Sequence, residues 1–317
     1  MTMRHLDRQQ TLERLDYPAL ADACARVLAS ARDGHTECPA RGAMGLAEGG
    51  TLLLMPATDG RLAITKLVTV HPHNSRHARP TIQGEMVVLD AATGERRLLV
   101  DGGAVSARRT AAVSLLAARQ LAPRTDTPML VYGAGTQART HLEAFRDGLG
   151  VREAYLHSRT HSRAEALAAK MNQAGMHVQV TDDPAGVLDE VRLIVTATTA
   201  TQPILPETLP ADSFVAAVGA FRAHMAEVPP ALLAHSRVVI DTAEGAREEA
   251  GDLIQASKAG QFDWQQATTL EAVVLDGATP IGNGPVLFKS VGQSLWDLAA
   301  GQVLAASLDP QSTPSTQ

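Results

Sequence analysis

The run Val131-Tyr-Gly-Ala-Gly-Thr-Gln-Ala138 carries residue types that can hold a dinucleotide. The apolar stretch Met129 to Tyr132 precedes it and reads as a buried parallel strand. Ala138, Leu142, Phe145 and Leu149 follow at helical spacing. Strand, glycine turn and helix in that order make a dinucleotide-binding fingerprint. Gly133 permits the tight turn. Gly135 lacks a Cβ, so backbone N–H groups can approach a pyrophosphate at the positive end of the new helix. Ala134, Thr136 and Gln137 complete the expected cradle, and Ala138 takes the third small position, where helix and strand pack closely.

The cofactor is expected at the tips of the neighbouring strands as well. A second strand, Ala154 to Leu156, runs into His157-Ser-Arg-Thr160, and Ser162-Arg-Ala-Glu165 reads as a capping box for the next helix. An acid at this tip would accept from the ribose 2′-OH of NAD and repel a 2′-phosphate. Ser158, Arg159 and Thr160 offer no acid, so NADPH is the preferred cofactor and NADH a possible one. Arg159 could instead lie over the adenine face. A further strand ends in Thr196-Ala-Thr-Thr199, where the small Ala197 and Thr198 let the nicotinamide side approach the sheet edge.

Three cations stand outside this pattern. Arg41, in the turn Cys38-Pro-Ala-Arg41, is either a surface charge or a ligand. Lys66 interrupts the apolar run Ile64 to Val70, where a half-buried strand would prefer something else; it either points to solvent or has a function. Arg109 follows Arg108 at the expected start of an alanine-rich helix from Ser106 to Gln120. Cations there oppose the macrodipole unless an anion joins them, which marks Arg109 as a carboxylate or phosphate ligand. His71-Pro-His-Asn-Ser75 has no acidic or thiol partner nearby and reads as a polar loop, with no metal. The acids of Glu248 to Asp252 read as a solvated helix start.

These residues need two frameworks to position them. Pro18 to Arg32 is a predicted helix; Thr51–Met55, Leu62–Val70, Met86–Asp90 and Arg97–Val100 are predicted strands of an antiparallel meander, with a hairpin turn at Thr93-Gly94. From Met129 the pattern is β-α-β instead, with strands at Val178–Val180, Leu193–Thr196, Phe214–Val218 and Val238–Asp241 and a helix starting at Asp183-Pro184. Val286 to Ser290 leads into a helix with Val291, Leu295, Leu298 and Leu304 on one face, expected to return to the first domain. The fold class is therefore α/β: a Rossmann-type doubly wound parallel sheet (residues 123–290), plus an α+β substrate and dimerisation domain with an antiparallel sheet (residues 1–122, completed by 291–317). Pro123 to Pro128 is the expected linker, and the tail from Asp309 the expected frayed end. A chain of 317 residues has room for both cores. Its net charge of -6 speaks against nucleic acid, and no run is apolar enough to span a bilayer, so a cytoplasmic protein is expected. Cys24 and Cys38 read as incidental thiols.

The constellation resembles the ornithine cyclodeaminase/mu-crystallin family. The resemblance rests on Arg41, the Lys66 strand with His71-Pro-His-Asn74, Arg109-Thr110, Gly133 to Ala138, Val218-Gly219, Glu249-Ala-Gly-Asp252 and Phe288-Lys-Ser290, in order along nearly the whole chain. It implies a homodimer, a carboxylate clamp of Arg41 and Arg109, and Lys66 reaching the reacting carbon–nitrogen bond or the carboxylate. It also implies Thr110 near the nicotinamide, and extends the expected cofactor contacts to Val218, Gly219, Lys289 and Ser290. One departure sets the expected activity. Ornithine cyclodeaminases carry an aspartate as general base shortly after the Val-Gly; here Phe221 falls at that place, on the apolar side of the expected substrate. Losing such a base costs about 10²–10⁴ in rate. A shift bringing Glu227 into the site is the one escape. The resemblance then implies hydride transfer to a cyclic ketimine acid, as in the family members that reduce Δ1-pyrroline-2-carboxylate to L-proline and Δ1-piperideine-2-carboxylate to L-pipecolate. Alanine or N-alkyl-amino-acid dehydrogenase on the same scaffold is the alternative, ahead of cyclodeaminase or a non-enzymatic NADPH-dependent binder. The last would want an aromatic-lined pocket, and aromatics are only 3% of the chain.

Overall fold

A computed structural model describes residues 3–77 and 79–308; the tail from Asp309 lies outside them. The chain divides into two compact units. One runs to Arg109 and resumes at Gln293; the other is Thr110–Gly292.

The first unit opens with β1 (Arg4–Leu6), α1 (Arg8–Arg14) and α2 (Tyr17–Arg32). Asp7 and Asp16 cap the two helices, each carboxylate accepting a first-turn N–H. Then come β2 (Gly42–Gly45), β3 (Thr51–Thr58), β4 (Leu62–Val70), β5 (Ile82–Asp90), β6 (Arg96–Asp101) and α3 (Gly102–Leu121). The sheet order is β1-β6-β5-β4-β3-β2, antiparallel from β2 to β6, with β1 parallel on β6. Alternation puts Leu62, Ile64, Lys66, Val68 and Val70 of β4 on the buried face. Lys66 therefore points inward, correcting the solvent-facing option.

The second unit adds β7 (Met129–Tyr132), α4 (Thr136–Leu149), β8 (Glu153–His157), α5 (His161–Gln173), β9 (His177–Val180), β10 (Leu193–Thr196) and β11 (Phe214–Ala217). It continues through α6 (Pro230–His235), β12 (Arg237–Ile240), α7 (Ala243–Glu249), α8 (Gly251–Lys258), β13 (Thr268–Thr269), α9 (Leu270–Asp276) and β14 (Val286–Lys289). All strands run parallel in the order β13-β12-β14-β11-β10-β7-β8-β9. Two strands were not expected. β14 in particular sits inside the sheet, between β11 and β12, because Val286 to Lys289 is buried on both faces. Residues Ala185–Val187 form only a 3₁₀ turn where a helix was expected. The capping box at Ser162 is also absent: α5 begins at His161, which makes Thr160 the N-cap.

The seam between the units falls within α3, not at Pro123–Pro128. The later turns of α3 have their partners in the second unit. Ser114 Oγ lies 2.9 Å from His141 Nε2 of α4, and Leu115 fills the space beside Gly148.

The closing helix α10 (Ser294–Leu308) belongs to the first unit and packs on α2, β3 and β4. It is buried on almost every side, Trp296, Leu298, Ala299, Ala300 and Leu304 having no exposed surface. Gly301 lets it lie close to the sheet, since a Cβ there would stand 3.0 Å from Ile64 Cγ2. Gly301→Val should therefore overpack this contact and cost about 1–3 kcal/mol, read as a lower urea midpoint at unchanged slope.

Candidate active site

In the first unit, three charges meet inside the core. Lys66 Nζ donates to Asp297 Oδ1 at 2.8 Å, and Arg109 Nε stands 3.4 Å from the same oxygen. Lys66 and Asp297 are 1% and 0% exposed, Arg109 8%. Burial drives the Lys66 pKa down to about 8. Asp297 pulls it back up, while Arg109 and then Arg41 push it down again. Arg41, half-buried, thus stands within electrostatic reach of the cluster. Arg109 Nε and Asp297 Oδ2 are buried without a hydrogen-bond partner, as a site awaiting a polar ligand would leave them.

The sequence argument for Arg109 is corrected in its premise. α3 begins at Gly102, with Asp101 accepting from the Ala104 N–H, so Arg109 lies well past the first turn. Its anion is one of the chain's own. Asp297 escaped the sequence reading, although a single acid in an otherwise apolar helix was the available signal. Cys24 is buried close enough to feel Arg109 and Asp297, and burial pushes its thiol pKa up.

In the second unit, the fingerprint forms the predicted turn. Gly133 has φ +111°, and a Cβ there would meet the Ala197 carbonyl oxygen at 2.5 Å. Gly135 is the N-cap of α4; no side chain occupies the cap, and the space a Cβ would take is open. The first-turn N–H groups of α4 are thus presented to an anion. An open groove of about 420 Å³ runs past Ala134, Gly135 and Thr136 to Arg139, Arg163, Leu167 and Lys170. Ser158 is half-buried and Arg159 and Thr160 are exposed after β8. This donor set fits a dinucleotide. Arg139 and Arg163, in the first turns of α4 and α5, were not expected there, although both sit at i+3 from Thr136 and Thr160.

Behind the strand tips lies a buried acid. Glu227 accepts from Thr196 Oγ1 (2.9 Å), Thr198 N (2.7 Å), Thr198 Oγ1 (2.8 Å), Gly219 N (2.8 Å) and Ala220 N (3.1 Å). Burial pushes its carboxyl pKa up, against the pull of Lys289. Asp252 accepts in turn from the N–H groups of Glu227 and Val228 and pairs with Lys289. The network joins the ends of β10 and β11, holding Ala197, Thr198, Val218 and Gly219 in place. Both oxygens of Glu227 are engaged inside the unit, so it is no substitute for a base at Phe221. That residue is half-buried, with Arg222 lying 5.9 Å over its ring.

One expectation is corrected here. Asp252 is an interior ligand, 1% exposed, and not part of a solvated helix start. Lys289 has no exposed surface, because its ammonium is drawn to Asp252. Ser290 gives its hydroxyl hydrogen to Asp241 Oδ2 at 2.7 Å. The Lys289 ammonium and the Ser290 hydroxyl are thus both engaged by acids of this unit.

Residues 3–309 match the profile of the ornithine cyclodeaminase/mu-crystallin family. The Delta(1)-pyrroline-2-carboxylate reductase 1 of Burkholderia multivorans is 41% identical over 297 residues, 93% of this chain and 92% of its own. The Delta(1)-pyrroline-2-carboxylate/Delta(1)-piperideine-2-carboxylate reductase of Azospirillum brasilense is 39% identical over the same shares. A solved structure of the Thermococcus litoralis Delta(1)-pyrroline-2-carboxylate reductase, in complex with NADH and L-proline, matches with a TM-score of 0.89. It covers 99% of this chain and 100% of its own at 24% identity, a likeness of fold.

The Glu227 network sets a test. Glu227→Ala leaves the Thr198, Gly219 and Ala220 N–H groups buried without acceptors, at about 1–3 kcal/mol each. Denaturant unfolding should show a loss of several kcal/mol, about 3 at least, and Glu227→Gln a smaller one.

Proposed function

This chain belongs to the ornithine cyclodeaminase/mu-crystallin family, and we propose that it is a ketimine reductase, converting Δ1-pyrroline-2-carboxylate to L-proline and Δ1-piperideine-2-carboxylate to L-pipecolate. The observation that carries this reading is the buried Lys66–Asp297–Arg109 cluster. It offers two cations to one acid, and so has room for a substrate carboxylate. Arg41 and Arg109 take that carboxylate, and Lys66 faces the reacting carbon–nitrogen bond. Thr110, 9% exposed, borders the nicotinamide. Phe221 presents an apolar ring where a cyclodeaminase of the family holds its aspartate, which suits a substrate ring of methylenes. Fixing the carboxylate at two points orients the imine carbon, and positioning of this kind supplies much of the rate. Bound NAD(P)H supplies the hydride.

The cofactor contacts we assign are Gly133, Ala134, Gly135, Thr136, Gln137 and Ala138 around the pyrophosphate. Ala197, Thr198, Val218 and Gly219 serve the nicotinamide end, and Ser158, Arg159 and Thr160 the adenosine ribose. NADPH is the preferred form. Arg159 is exposed at the strand tip, Arg139 and Arg163 line the same groove, and no acid lines it. NADH is accepted more weakly.

We also assign a homodimer. Met44, Leu54 and Leu67 are exposed on the outer face of the first unit's sheet, where Leu54 stands opposite Leu67, and Met44 opposite the half-buried Leu52. An apolar stripe of this kind suits a second copy. Among the described residues no helix is long and apolar enough to cross a membrane. The thiols are unpaired, and we place the enzyme in the cytoplasm.

Three measurements test these assignments. NADPH oxidation should be rapid with Δ1-pyrroline-2-carboxylate and slow with pyruvate plus ammonia or methylamine. In Lys66→Ala, kcat should fall about 10²–10⁴-fold at unchanged NADPH affinity. Turnover on the open-chain pair alone would make the protein an amino-acid dehydrogenase. By sedimentation, the wild type should run as a dimer, and Leu54→Asp with Leu67→Asp as a monomer.

A further inference from the structure

We propose that Asp297 is a positioning residue that holds Lys66 as the ammonium which protonates the imine nitrogen during reduction. This rests on the ketimine reductase reading and adds to it the source of the proton.

The geometry comes first. Asp297 rises from a helix buried nearly all round, and its Oδ1 accepts the Lys66 ammonium at 2.8 Å. The strands flanking Lys66 place Met55 and Met86 opposite it, which carry no charge. The charged or titratable groups bearing on the cluster are Asp297 from α10, Arg109 from α3, Arg41 and Cys38 ahead of β2, and Cys24 from α2. Burial raises the pKa of both thiols, Cys24 and Cys38, and a guanidinium is too weak an acid to serve as a donor. Lys66 is the proton donor that remains.

Charge then selects the substrate form. Lys66, Arg109 and Asp297 sum to one positive charge inside the core. A neutral imine bearing a carboxylate brings one negative charge and balances the buried three. A protonated iminium carboxylate is net neutral and would leave a buried positive charge uncompensated, at a cost in desolvation. The imine therefore binds unprotonated and needs a proton. The step balances as follows. The imine carbon accepts the hydride, forming a C–H bond, and the π pair of the C=N bond moves to nitrogen. A Lys66 N–H bond breaks as the product N–H forms, and Lys66 remains as a neutral amine. The imine is reduced, the nicotinamide is oxidised, and solvent returns the proton to Lys66. A pKa of about 8 leaves Lys66 mostly charged at neutral pH yet able to give up its proton.

The test uses the whole protein. The chain has four lysines, Lys66, Lys170, Lys258 and Lys289, so a ¹³C-lysine NMR titration resolves Lys66, with Lys66→Arg to assign it. In D297N the Lys66 inflection should fall by about 1–3 pH units, and the alkaline limb of kcat/KM for Δ1-pyrroline-2-carboxylate should move with it. The sign follows from Lys66 acting as an acid: activity is lost as pH rises through its pKa, and removing the carboxylate lowers that pKa. The imine's own pKa is the same in both proteins. D297E keeps the charge and should keep the limb near its wild-type position. A limb that stays put while Lys66 titrates lower would overturn the proposal, as would an unchanged Lys66 inflection in D297N. NADPH binding checks that D297N is folded. Should it not fold, the wild-type titration decides the donor: a limb that coincides with the Lys66 inflection supports the proposal, and a limb that departs from it overturns it. Absence of imine turnover by wild type would remove the reductase reading and the proton transfer with it; the lysine titration would still decide whether Asp297 holds the ammonium.

Discussion

Taking ions out of water is expensive, and the first unit does it three times at one point. Asp297 makes that possible. A lone Lys66 or Arg109 in this core would lose its charge or push the helix away, because an unpaired buried ion costs more than packing returns. With one acid shared by two cations, the deficit is a single charge, and the remaining polar atoms stay unsatisfied until a ligand arrives. The cluster is incompletely compensated, since Asp297 Oδ2 and Arg109 Nε both lack hydrogen-bond partners. Such a site gives up stability that a fully satisfied core would keep.

The second unit solves a related problem with the opposite outcome. Its buried acids are saturated: Glu227 collects donors from two strand ends, and Asp252 collects two N–H groups and the Lys289 ammonium. Saturation makes a group structural and removes it from chemistry. The contrast between Asp297 and Glu227 thus separates a working carboxylate from a scaffolding one on hydrogen-bond count alone. Phe221 belongs to the same contrast, for the nearby acid is committed to the loops.

What the sequence revealed was what is local in the chain. The glycine turn, its strand and its helix lie within two dozen residues, and each constrains the next. Lys66 was half legible: the period-two pattern of Leu62, Ile64, Val68 and Val70 already put it on the core face, but a charge there has no meaning until its partner is known. That partner lies 231 residues away. Asp252 with Lys289 hides for the same reason, 37 residues apart and across the sheet. β14 was missed because three apolar residues and a lysine before a loop read equally as a helix approach, and only sheet order tells them apart.

The placement of β14 and α10 has a consequence for synthesis. β14 fills the gap between β11 and β12, and α10 covers the first unit's sheet and helix α2. Both elements are made after the strands and helices they complete. A nascent chain emerging from the ribosome therefore holds two incomplete cores at once, each with an open apolar face, until residues near 300 have cleared the exit. Closing contacts between the chain's beginning and its end is slow relative to local pairing. Each core therefore keeps an apolar face open until β14 or α10 has been made to cover it.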